Sequence, residues 1–102
     1  MGRVRLRGHI AVPAERLVEV ETALVDHIRL TRAEPGCLEF TVEKVAGQEG
    51  RFAVAELFVD EPAFRAHQRR GAASAWGEVT AGIPRHYEIT TEDEAGRWVP
   101  LS

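Results

Sequence analysis

The hydrophobic period of this chain switches back and forth between two values, and the order of the switches dictates the architecture. Val4–Val12 alternates: Val4, Leu6, Gly8, Ile10 and Val12 fall on one side, Arg5, Arg7, His9 and Ala11 on the other. A period of two marks a strand with unlike faces. Pro13 ends it, because proline offers no ladder N–H and suits the first turn of a helix. From Ala14 to Ala33 the period lengthens: Leu17, Val20, Leu24, Ile28 and Thr31 recur at steps of three and four, along one helical face. Glu15, Glu19 and Glu21 near the start and Arg29 and Arg32 near the end suit the helix dipole, and Pro35-Gly36 stops the helix.

Alternation returns over Cys37–Val45, with Leu38, Phe40 and Val42 opposite Glu39, Thr41 and Glu43. The cluster Gly47-Gln48-Glu49-Gly50 predicts a hairpin into a third strand, Arg51–Val59. That strand is apolar on both faces except at Glu56, as befits a central strand covered on both sides. Asp60 is placed as an N-cap, with Glu61 and Pro62 in the first turn and Phe64, His67 and Gln68 along one side. Gly71 predicts a kink or break before a second helical stretch, Ala72–Ile83, which carries Ala72, Trp76, Val79 and Ile83 on one face. Pro84 closes it, and Arg85–Thr91 reads as a fourth strand.

The order strand, helix, strand, strand, helix, strand predicts an α+β, ferredoxin-like βαββαβ fold: a four-stranded antiparallel sheet backed by two helices. At 102 residues there is room for one domain, residues 1–92, with 93–102 as a C-terminal tail: polar and mobile to Arg97, then apolar. Two helices cover only one face of such a sheet. The second apolar face of the third strand therefore predicts a homodimer, sheet against sheet.

Charge and composition remove several function classes. The chain has 13 Lys+Arg against 16 Asp+Glu, a net charge of -3, the wrong sign for a non-specific binder of nucleic acid or anionic membrane. Cys37 stands alone, so no intramolecular disulfide or thiolate metal site follows from it, and it is expected to pack as a small apolar group. No run of 18 apolar residues occurs, and the first fifteen residues lack the uninterrupted apolar stretch of a signal peptide, so a cytoplasmic protein is expected. The phosphate loop, HExxH, nucleophile elbow and Gly-x-Gly-x-x-Gly patterns are all missing. His9, His27, His67 and His86 show no i, i+4 pair of the kind a helical metal site favours, and no metal is expected.

Two residues stand out as proton-transfer candidates. His67 follows Phe64 by one turn and precedes Trp76, and an imidazole at an apolar cleft wall exchanges protons near neutral pH. The alternative is a histidine satisfied by a backbone carbonyl at the helix edge. Glu56 is the single charge in the run Phe52–Val59. Burial there raises a carboxyl pKa and makes it a proton acceptor. The alternative is a salt bridge, to Arg5 or Arg7 on a neighbouring strand or to an arginine of a partner subunit. Phe40, Phe58, Trp76 and Tyr87 line an aromatic-binding cleft or simply form core, and His9 is a candidate to point into the same space. Arg69-Arg70 reads as a solvated helix face or as an attractor for an anionic ligand.

The segment Thr31-Arg32-Ala33-Glu34-Pro35-Gly36-Cys37-Leu38-Glu39-Phe40 resembles the stretch that opens strand two in antibiotic-biosynthesis-monooxygenase-like proteins. Glu56-Leu57-Phe58-Val59-Asp60, Ala63-Phe64, His67 and Ser74 resemble a second run of that family, although Arg69–Ala73 makes the interval from His67 to Ser74 longer than usual. The resemblance covers roughly residues 4–91 and implies a dimeric α/β barrel built from two ferredoxin-like subunits. It also implies a cofactor-independent monooxygenase that deprotonates a quinol- or anthrone-like aromatic, whose carbanion or enolate then reduces dioxygen. His67 and Glu56 match the polar positions, with Phe58 and Trp76 as apolar wall. The haem-degrading branch is not matched, since Trp76 is followed by Gly77, Glu78, Val79 and Thr80 and no axial histidine stands there. Two alternatives remain: a non-catalytic dimeric binding or stress-response protein, and an isomerase of a small polar metabolite served by Arg69, Arg85 and His86.

Overall fold

The strand that comes first in the chain lies in the middle of the sheet. In the computed structural model, which describes residues 2–101, β1 (Val4–Ala11) is flanked by β3 (Arg51–Phe58) and β4 (Arg85–Glu92). β2 (Cys37–Lys44) lies outside β3, and β5 (Trp98–Pro100) outside β4, giving the order β2-β3-β1-β4-β5. Every neighbouring pair is antiparallel, with Val4 opposite Phe58 on one side and Thr91 on the other. The helices are α1 (Leu17–Arg32), entered through a 3-10 turn at Ala14–Arg16, α2 (Glu61–Ala72) and α3 (Ala75–Val79). This is the expected ferredoxin-like arrangement with one strand added, and within the chain the sheet is open rather than closed into a barrel.

Alternation along the strands decides which face the helices cover. Val4, Leu6 and Ile10 of β1 and Phe52, Val54 and Phe58 of β3 are buried. They pack with Val20 and Leu24 of α1 and Phe64 of α2 into one core. Each such side chain contributes about 1.5–3 kcal/mol when fully withdrawn from water. Glu56 shares the parity of Val54 and Phe58 and so sits on this covered face. Arg5, Arg7 and His9 take the opposite parity and face the open side of the sheet. In β2 a register shift between Cys37 and Glu39 bulges Leu38 outward, leaving it 49% exposed.

Three expectations are corrected. The sheet has five strands, because Trp98–Pro100, expected in a tail, pairs with β4. The turn that returns the chain is built by Asp93, whose Oδ1 accepts the backbone N–H of Ala95 and of Arg97, each at 2.9 Å. The Arg5 guanidinium lies 4.1 Å from the centre of the Trp98 ring and holds the added strand down. Gly71 does not break the helix: α2 runs through it, and the chain turns at Ala73–Ser74 before the short α3. There the Ser74 hydroxyl donates to the carbonyl of Gly71 at 2.6 Å. The long second helical stretch to Ile83 shrinks to Ala75–Val79, because Gly77 must pass close to the end of α2. A Cβ at Gly77 would lie 2.4 Å from the Ala72 carbonyl oxygen.

Candidate active site

Between the covered face of the sheet and the helices is a cavity of about 380 Å³. Its lining mixes polar and apolar groups, with the polar ones contributed from several elements. The sheet supplies Glu56, Arg85 and Tyr87, α2 supplies His67, α3 supplies Trp76, and α1 supplies His27.

Helical spacing brings the histidines in. On α2, Phe64, His67 and Gly71 form the buried stripe, at steps of three and four. The Asp60 carboxylate caps that helix, accepting the Ala63 N–H at 2.9 Å, and so fixes where the stripe begins. On α1 the buried set is Val20, Leu24, His27 and Thr31. Trp76 lies flat against the His27 ring, 4.8 Å between centres and 4° between planes. His27 and His67 are 5.7 Å apart, ring centre to ring centre.

The acid–base groups form a chain. The Arg70 guanidinium, at the surface end, donates from Nε to Glu34 and from Nη2 to the Thr31 hydroxyl at 2.7 Å. Glu34 Oε2 lies 3.3 Å from His67 Nδ1 in hydrogen-bonding geometry, and Oε1 lies 3.2 Å from the same nitrogen. On the far side of the ring, His67 Nε2 faces Glu56 Oε1 at 3.7 Å, beyond hydrogen-bond length. Glu56 Oε1 has no partner, and neither has His27 Nδ1. Glu56 is only 8% exposed.

Burial sets the protonation states. Desolvation, reinforced by the negative charge of Glu34, raises the Glu56 carboxyl from 4.5 to about 8, so at neutral pH it carries its proton. Desolvation lowers His27 from 6.5 to about 3, helped by the Arg70 and Arg85 cations and by coupling to the neighbouring His67 ring. His67 is also lowered, chiefly by desolvation, while Glu34 pulls the other way. Burial likewise raises the Tyr87 phenol. At neutral pH the cavity therefore holds a protonated carboxyl opposite a neutral imidazole: one proton donor and one proton acceptor side by side.

His67 and Glu56 share one cavity, and Trp76 and Tyr87 line it. Phe40 and Phe58 are buried beneath His67, with ring centres 5.6 and 4.9 Å from it. They support the imidazole from the core and are not part of the lining. His9 is not in the site: it lies on the open face, stacked on His86 at 4.8 Å, with Nε2 2.6 Å from Arg51. The pairing of Glu56 with Arg5 or Arg7 does not occur, because their side chains leave opposite faces of the sheet. Sequence reasoning gave no role in the site to Glu34 or His27, and read Arg70 only as part of a solvated helix face or as an attractor for an anionic ligand. His27 was legible as a polar residue on the apolar stripe of its helix. Glu34 reaches the site from the loop that ends α1, which has no period to read. Among the described residues, no group of three or more His, Cys, Asp or Glu side chains is arranged to hold a metal ion, and no helix is long and apolar enough to cross a membrane.

Fold and site together define a ferredoxin-like α+β domain with an acid–base cavity between sheet and helices. The sequence profile of the antibiotic biosynthesis monooxygenase family matches residues 3–79, and the chain belongs to that family. Similar solved structures include a candidate antibiotic biosynthesis monooxygenase from Caulobacter crescentus CB15. It is 24% identical, with TM-score 0.68, and the match covers 86% of this chain and 87% of that one. Another from Nitrosomonas europaea is 19% identical with TM-score 0.75, covering 87% and 89%. A third, from Bacteroides thetaiotaomicron VPI-5482, is 26% identical with TM-score 0.70, covering 86% and 84%. No curated protein sequence matches the chain.

Proposed function

We propose that this protein is a cofactor-independent monooxygenase that removes a proton from an electron-rich aromatic of the quinol or anthrone type and lets the resulting anion react with dioxygen. The observation that carries the reading is the facing pair in the cavity, His67 Nε2 and the unpartnered Glu56 Oε1, 3.7 Å apart. His67 Nε2 takes the substrate proton. The neutral Glu56 carboxyl donates a hydrogen bond to the oxygen on which the negative charge develops, a role that requires the carboxyl to stay protonated at neutral pH. Trp76 and Tyr87 give the ring an aromatic wall. The anion then forms a carbon–oxygen bond with dioxygen, the His67 imidazolium returns its proton to the resulting peroxide, and loss of water leaves a ketone, so that in an anthrone a ring methylene and dioxygen become a carbonyl and water. The carbon gives up four electrons, one oxygen atom enters the product, and the other leaves as water.

The test is turnover of anthrone and quinol substrates under labelled dioxygen with no added metal or flavin. The expected result is one labelled oxygen atom in the product and loss of turnover in His67→Ala. Absence of oxygen consumption across a broad phenolic panel rejects the reading.

The open face of the sheet favours a second copy of the chain as its cover. Ala53, Ala55 and Leu57 alternate along β3 on that side and are at least partly exposed. Around this apolar strip, Arg5 and Arg7 of β1 lie between Glu39 and Glu43 of β2 and Glu88 of β4, a charge pattern complementary to itself under a two-fold rotation. Leu57→Glu is expected to turn a dimer into a folded monomer by light scattering. A wild-type chain that is monomeric at tens of micromolar removes this part of the proposal.

A further inference from the structure

We infer that Glu34 and Arg70 are positioning residues that fix the tautomer of His67, holding its proton on Nδ1 so that Nε2 presents a lone pair to the cavity. This inference rests on the reading of His67 as proton acceptor. A neutral imidazole carries one N–H, and the hydrogen bond made by one nitrogen decides the state of the other. Glu34 offers only acceptor atoms, at 3.2 and 3.3 Å from Nδ1. A proton on Nδ1 is therefore bound, whereas a lone pair there would face a carboxylate oxygen. The carboxylate is in turn held from behind. Arg70 donates to it from Nε, and by reaching Thr31 with Nη2 it ties α2 to the end of α1. Phe40 and Phe58 pack on His67 and limit its tilt.

The same chain acts when the proton arrives. An imidazolium formed by proton abstraction lies against Glu34, whose charge stabilises it, while Arg70 keeps that carboxylate in place. The other titratable groups facing His67 are Glu56 from β3 and His27 from α1, in addition to Arg70 on its own helix. Glu56 carries its proton at neutral pH and His27 is neutral, so neither competes with Glu34 as the counter-charge. Comparable support behind a metal-bound imidazole is worth roughly 10–100-fold.

The decisive measurement needs no substrate. Long-range proton–nitrogen correlation spectra of the full-length wild-type chain near pH 7.5 report which ring nitrogen of His67 is protonated. The expected signature is Nδ1–H. In Glu34→Gln the amide oxygen is drawn to Arg70, which can only donate, and the NH2 then faces Nδ1 and drives the proton to Nε2. His67 should also become harder to protonate, moving the acidic limb of kcat/KM to lower pH while the rate falls at least about tenfold. Glu34→Asp should restore Nδ1–H, and Arg70→Gln should give a mixture of tautomers. A wild-type His67 protonated on Nε2, or a tautomer and pKa unmoved by Glu34→Gln, overturns the inference even if turnover is found. If instead the spectra are as expected but His67→Ala keeps full turnover, the positioning stands and His67 is not the base.

Discussion

The protein contains two histidine pairs on opposite faces of one sheet, and they differ in everything but the side chain. His9 and His86 stack at 4.8 Å on the open face beside Arg51, a cation that can only donate to the His9 ring. His27 and His67 lie 5.7 Å apart beneath the helices, flanked by Glu34 and Glu56. Proximity of imidazoles therefore does not make an acid–base site. The covered pair has a counter-charge, Glu34, to hold a proton in transit, and burial that keeps bulk water from levelling the groups. The open pair has neither.

That contrast can be broken by rate first. His67→Ala should lower kcat/KM by roughly 10²- to 10⁴-fold, the usual worth of a general base, while His9→Ala leaves it unchanged. Comparable losses from both variants would erase the distinction between the faces. The next effect is on stability against pH. The folded-state pKa of Glu56, about 8, exceeds its ordinary 4.5, so the folded state binds the proton more tightly. Stability contributed by this group is present below pH 4.5 and is lost as pH rises to about 8, a loss of about 3–5 kcal/mol. His27 has the opposite sign. Its lowered folded value, about 3, costs stability as pH falls from 6.5 towards 3. Between 4.5 and 6.5 the Glu56 and His27 slopes oppose each other, and His67, whose folded value is also lowered, adds to the His27 side. Urea titrations should therefore show a rise towards pH 6.5 and a decline from there towards pH 8. Glu56→Gln should abolish that decline, and no open-face histidine variant should touch it. The smallest effect concerns the cap that positions the covered pair. Asp60→Ala should cost about 1 kcal/mol, read from the urea midpoint, by freeing the first turn of α2.

The parts of the molecule legible in the sequence are those where a local period answers to burial. β1, β2 and α1 were readable because Val4, Leu6 and Ile10, or Val20 and Leu24, repeat with the pitch of the element that buries them, and β3 because its apolar run follows a turn cluster. The face assignment of Glu56 was hidden, because β3 is apolar on both sides and parity alone does not say which side meets the helices. Glu34 was unreadable as a site residue for a different reason. Its contact with His67 spans 33 residues and depends on where the loop after α1 ends in space. Gly71 misled because glycine lowers helix propensity by only about 1 kcal/mol, and packing of α2 outweighs that. The fifth strand was hidden because three residues carry no period, and its formation depends on the Asp93 turn and on Arg5 reaching Trp98.

The central position of β1 has a consequence for how the chain is made. Of the five strands β1 is synthesised first, yet Val4 pairs with Phe58 and Thr91, which follow 54 and 87 residues later. During synthesis the β2–β3 hairpin can close on its own, while one edge of β1 waits for almost the whole chain. Sheets whose neighbours are so distant in sequence form slowly and expose unpaired strand edges meanwhile. Arg5 and Arg7, interleaved with Val4, Leu6 and Ile10, put charge on that waiting edge. Nascent β1 is thus the segment most in need of protection before release, and its two arginines guard the newborn chain as well as furnish a surface for the finished fold.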